Sequence, residues 1–192
     1  MADRNAILAR WRVRLGYPVA PLYLWLALPT RGSLVWGMVI ALFGLLLRGV
    51  AAGHLHKQEE LAVSGPYAWS RNPLYFGSFF LVVGFGVASH SWAAGALIVG
   101  YYAFFYPGVM RREEGELRAK HGAAFDAYAA RVPLFFPRPP RQVPATDGVH
   151  PAANDKLFSW DQYARNREYQ ATLGFMVGVI LLVARMLLHT TG

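Results

Sequence analysis

The sequence predicts an all-α, polytopic membrane protein with about five transmembrane helices. Three observations carry that expectation. Of the 192 residues, 55% are hydrophobic and 16% charged, against about 45–50% and about 25% in soluble domains. All eleven acidic residues lie outside the long apolar runs. Once five spans are drawn, every one of the nineteen Lys and Arg residues except Arg31 and Arg185 falls on one side of the membrane, the bias that cytoplasmic loops carry.

Taken in order, residues 2–15 put Ile7, Leu8, Trp11 and Leu15 on one helical face, with Arg4, Arg10 and Arg14 largely off it. That is the pattern of a helix lying in the interface; the alternative is an unstructured basic arm. Asp3, Arg4 and Arg10, with no small-residue cleavage pattern, argue against a secretory signal. Residues 15–28 follow as a short span bearing Pro18 and Pro21. Segments 34–50, 74–88, 92–109 and 171–188 approach the roughly 20 apolar residues that a crossing needs. Ser89, His90 and Ser91 read as the tight turn of a helical hairpin between the middle two. The positive-inside bias then places the N-terminus in the cytoplasm and the C-terminus on the opposite side. A net charge of +8 sits where anionic headgroups attract it, by about 1 kcal/mol per residue, so no nucleic acid is needed as a partner.

The absence of cysteine removes disulfides, thiolate zinc sites and cysteine nucleophiles. No span interior holds an acidic residue, and Arg48 and Arg185 lie near span ends, where long side chains can snorkel. That disfavours a pump or ion-coupled transporter. His54 and His56 are two apart, on different helix faces and without a third ligand, so no metal site is expected. Gly84-Phe85-Gly86 reads as close helix packing. Polar chemistry is left to residues 51–73 and 110–170.

Two stretches stand out there. In the first, Gly65-Pro66 makes a turn, Pro73 suits a first helical position and Asn72 an N-cap. Arg71 and Asn72 then sit at a helix mouth that favours negative charge; interfacial Tyr and Trp anchoring is the plainer alternative. In the second, Glu113, Leu117 and His121 recur one turn apart, and Phe125, Tyr128 and Val132 form an apolar stripe, predicting a further helix on the membrane surface. Two adjacent glutamates beneath a membrane face are unusual, because headgroups repel them; a solvated charged turn is the alternative.

Together these stretches resemble the isoprenylcysteine carboxyl methyltransferase family and its phospholipid methyltransferase relatives. The resemblance runs through Gly65-Pro66-Tyr67, Arg71-Asn72-Pro73, Tyr75 and Gly77, then a two-span hairpin, then Glu113-Glu114, Leu117, Gly122, Tyr128 and Val132-Pro133. It implies an integral membrane enzyme that uses S-adenosylmethionine to methylate a lipidic or prenyl-like substrate, with surface helices forming the cofactor pocket on the cytoplasmic side. Carried over, cofactor contacts fall on Leu61, Ala62, Tyr67, Asn72, Pro73, Leu74, Tyr75 and Glu113, with Arg71 suited to the cofactor's carboxylate. Glu114, Arg112 and Glu168 are the candidate catalytic residues, the two glutamates as bases for an acceptor that must lose a proton. Three positions depart from the pattern. Asn72 stands for a histidine, His121 for a phenylalanine, and Val109 for an arginine thought to hold a substrate carboxylate, a role that Arg111 or Arg112 would have to take over. A phospholipid amine N-methyltransferase, a non-catalytic scaffold of the same fold and a sterol-type reductase are the competing expectations.

The whole of residues 1–192 is expected to form one membrane-embedded domain with a family core at 61–137. Residues 138–170 read as a linker on the cytoplasmic side before the last span. Within it, Phe158, Trp160, Tyr163 and the run 165–169 serve either as an aromatic and basic anchor or, through Asn166 and Glu168, as part of the substrate pocket.

Overall fold

A computed structural model describes residues 2–55, 61–140 and 158–190. His56, and with it the pair formed with His54, lies outside them, as do residues 141–157 of the expected linker. The described residues are helical and contain no strand: α1 (Ala2–Leu26), α2 (Arg31–His54), a 3-10 turn (Gly65–Ala68), α3 (Pro73–Ala88), α4 (Trp92–His121), α5 (Ala123–Arg131), α6 (Trp160–Arg165) and α7 (Tyr169–Thr190).

The separate interfacial helix and short first span are one continuous helix, α1, with Pro18 and Pro21 inside it. Each proline removes a single backbone bond, which a helix packed among others tolerates. The side chains of Ile7 and Leu8, on which the amphipathic face rests, lie outside the described ones. Thr30 opens α2 through a capping box: its hydroxyl accepts from the Ser33 amide at 3.2 Å, and the Ser33 hydroxyl accepts from the Thr30 amide at 3.0 Å.

Helices α2 and α3 run antiparallel along a seam of glycines. A Cβ at Gly37 would stand 2.5 Å from the Gly84 carbonyl oxygen and the Ala88 amide, and one at Gly44 would stand 2.5 Å from the Gly77 carbonyl oxygen. Backbone meets backbone here, which bears out the packing role expected for Gly84. Gly44→Leu is expected to cost at least about 1–3 kcal/mol, the range for overpacking. It should appear as a lower midpoint in thermal unfolding of the detergent-solubilised protein; an unchanged midpoint would mean that the helices separate freely.

The hairpin turn falls where expected. Ser89 is fully buried, His90 has φ +48°, and the Ser91 hydroxyl caps α4 by accepting from the Ala94 amide at 3.3 Å. Beside this turn Tyr23, Ala27, Leu34, Ala88, Ala94 and Leu182 form an apolar core.

Among the described residues, α2, α4 and α7 are long and apolar enough to cross a membrane, and α3 is a shorter apolar helix of 16 residues. The expected five spans are therefore not reached by length and apolarity. At 1.5 Å per residue α3 is about 24 Å long, short of a hydrocarbon core of about 30 Å, and α1 carries charges through its first half. Helix α4 also differs from expectation. It does not break after residue 109 but continues to His121, so the twin glutamates ride on an extension of the apolar segment itself. Gly122, at φ +53°, ends it and turns the chain into α5.

Candidate active site

The first box is a loop held from outside. The Arg71 amide donates to the Pro133 carbonyl at 2.9 Å, the Arg138 amide to the Trp69 carbonyl at 3.0 Å, and the Ser70 hydroxyl to the Phe135 carbonyl at 2.9 Å. Asn72 joins this set and corrects the expected cap. It occupies the N-cap position of α3, but its side chain makes no cap bond and donates instead to the Leu134 carbonyl at 3.0 Å. Pro73 does begin the helix. The Tyr128 hydroxyl of α5 donates to the Tyr67 carbonyl at 2.7 Å, tying α5 over the turn.

The second box reaches the first through two side-chain pairs. The Tyr75 hydroxyl donates to Glu113 Oε1 at 2.6 Å, and Arg71 Nη1 lies 2.6 Å from Glu114 Oε1. Thirty-eight or more residues apart in the chain, the Asn-Pro turn and the twin acids converge on one cavity of about 520 Å³. Ligand pockets run from about 300 to 1,000 Å³.

All nine residues expected to contact a cofactor line this cavity: Leu61, Ala62, Tyr67, Arg71, Asn72, Pro73, Leu74, Tyr75 and Glu113. Glu114 and Glu168 line it too. Arg112 does not: it is exposed and pairs with Glu116 one helical turn on, at 2.8 Å. Nor do Val109, which is buried at 7% exposure, and Arg111, which is exposed.

Sequence reasoning missed Arg48. Expected to snorkel, it turns into the cavity wall instead. Its Nε and Nη2 donate to the two oxygens of Glu168 at 2.6 and 3.0 Å, and its Nη1 donates to the Ser78 hydroxyl and, at 3.4 Å, to the Leu74 carbonyl. Arg48 has no polar neighbour nearby in the chain. Its partner is 120 residues away, so no local signal marks it. Asn166 lies on the same wall, and its amide donates to the Ala52 and Leu55 carbonyls at 2.8 and 2.9 Å, satisfying the end of α2.

Two donors on cavity-lining residues are buried and have no hydrogen-bond partner among the described residues: the Tyr67 hydroxyl and Arg71 Nε. Burial, with the nearby Tyr128 adding to it, pushes the Tyr67 hydroxyl well above the usual phenol range, so it stays a donor throughout the physiological range. An unmet buried donor is costly, and a ligand bearing acceptors would satisfy both.

Residues 39–124 match the family model described as phospholipid methyltransferase. That match spans less than half of the chain. The matched segment supplies Arg48, the Asn-Pro turn, the twin acids and the hairpin between them. Tyr128, the run 132–138 and the wall residues Asn166 and Glu168 come from outside it. The chain is 40% identical over 82 residues to the nickel-cobalt-cadmium resistance protein NccN of Alcaligenes xylosoxydans xylosoxydans, and 39% identical over 82 residues to the cobalt-zinc-cadmium resistance protein CzcN of Cupriavidus metallidurans. Each alignment covers 43% of this chain and 38% of the relative's length. No solved structure matches the chain.

Proposed function

We propose that this membrane methyltransferase-family protein takes its methyl group from S-adenosylmethionine and delivers it to a lipidic or prenyl-like acceptor at the cytoplasmic membrane face. One observation carries the reading: the two boxes share a nucleoside-sized cavity in which Tyr67 and Arg71 keep donors unmet. When bound, the cofactor would supply an electrophilic methyl on a positively charged sulfur. Glu113 offsets that cationic character, Tyr67 and Tyr75 offer ring faces, and Arg71 Nε suits a carboxylate. The chain's remaining work is to hold the acceptor in line and keep water out. Glu114 and Glu168 serve in this reading as fixed partners of Arg71 and Arg48, since acting as bases would first require those pairs to break.

A phospholipid amine is the second acceptor reading, favoured by the description of the matching family and by Val109 in the arginine position. Calorimetric titration of the detergent-solubilised protein with S-adenosylmethionine and with NADPH tests the class. Binding of the first alone supports a methyltransferase, binding of NADPH a reductase, and binding of neither a scaffold. Methyl-labelled cofactor incubated with membrane lipids then reports the acceptor: base-released methanol means an ester, and retained label an amine or other stable linkage. Glu113→Ala should weaken cofactor binding at least tenfold, since a hydrogen bond to a charged group is worth about 1.5–3 kcal/mol. Unchanged affinity would remove Glu113 from the site.

A further inference from the structure

Both guanidinium groups in the cavity wall are already matched to internal carboxylates. Arg71 pairs with Glu114 at 2.6 Å, and Arg48 meets both oxygens of Glu168. The second pair is the more complete. Glu168 is 5% exposed, and all three guanidinium nitrogens of Arg48 are used by Glu168, Ser78 and Leu74. A guanidinium fork of this kind is the usual protein device for gripping a carboxylate or phosphate. Here its fork is filled from within, by a residue lying outside the matched segment and held in place by the anchoring of Asn166 to the end of α2.

We infer that Glu168 is a specificity-determining residue: its carboxylate occupies the fork of Arg48 and so bars anionic headgroups, carboxylates and phosphate monoesters alike, from the inner cavity. The inference rests on the proposed function, in which the acceptor's head enters this same cavity to meet the cofactor. Anions are rejected twice over, because a bound anion would have to displace Glu168 and would then leave that carboxylate buried without a partner. Acceptors with uncharged heads meet neither obstacle.

The test titrates full-length protein in dodecyl maltoside with decanoate and with decanol, using the Arg48→Met/Glu168→Leu protein as a blank for micelle partitioning. The native protein should bind decanoate no better than the blank does. Glu168→Gln replaces the charged occupant of the fork with a neutral amide that an anion can displace, and should bind decanoate at least tenfold more tightly than native, with decanol unchanged. Saturable binding of decanoate by native protein as tight as that of Glu168→Gln would overturn the inference, as would a cooperatively melting Glu168→Gln that gains nothing. If that variant does not melt cooperatively, the native comparison decides: a tenfold preference for decanoate over decanol overturns the proposal, and its absence supports it. S-adenosylhomocysteine is titrated separately into native protein; failure there removes the methyltransferase reading and leaves the decanoate result standing.

Discussion

Glu168→Leu is expected to destabilise the protein by about 3–5 kcal/mol, because it leaves the Arg48 guanidinium in the cavity wall without its counter-charge. The pair is largely buried, with side-chain exposures of 20% and 6%, so solvent screening does not rescue it. The same side chain ties the start of α7 to α2 and α3. Removing both charges at once, in Arg48→Met/Glu168→Leu, should recover most of the loss, since hydrophobic replacement of a whole buried pair is often close to neutral. Thermal unfolding of the three proteins in detergent checks this. A double variant as unstable as Glu168→Leu alone would show that the pair matters through its particular hydrogen bonds rather than through its charge balance.

Arg71→Ala is the second large effect. It removes the partner of Glu114 and one of the two unmet donors in the cavity, while leaving the backbone bond from residue 71 to Pro133 in place. A hydrogen bond from a charged donor to the cofactor is worth about 1.5–3 kcal/mol, so affinity for S-adenosylmethionine should fall at least tenfold in calorimetry. Full cofactor affinity and activity would reassign Arg71 to headgroup anchoring. Arg71→Lys should recover little, since an ammonium cannot reproduce a planar fork.

Apolar periodicity and charge distribution were enough to find the hairpin turn at Ser89–Ser91 and the apolar helices, because in a bilayer those two signals report the environment directly. They could not say where a helix stops being embedded. Residues 110–121 continue α4 although their composition is that of a surface, since nothing before Gly122 breaks a helix. Likewise Pro18 and Pro21, which read as a boundary, sit inside α1. At the site, the meeting of the two stretches was implied by the family resemblance alone, whereas Pro73 was legible because its residue type carries local chemistry. The Asn72 amide was read as a cap for the same reason, yet the carbonyl of Leu134, 62 residues on, takes its hydrogen bond. Arg48 shows the limit most clearly: beside a run of leucines its sequence neighbourhood resembles that of any interfacial arginine, and only folding brings Glu168 to it.

The glycine seam has a mechanical consequence. With main chains in direct contact at Gly37, Gly44, Gly77 and Gly84, α2 and α3 have no compressible side-chain layer between them at those four positions, so the pair resists hinging along its seam.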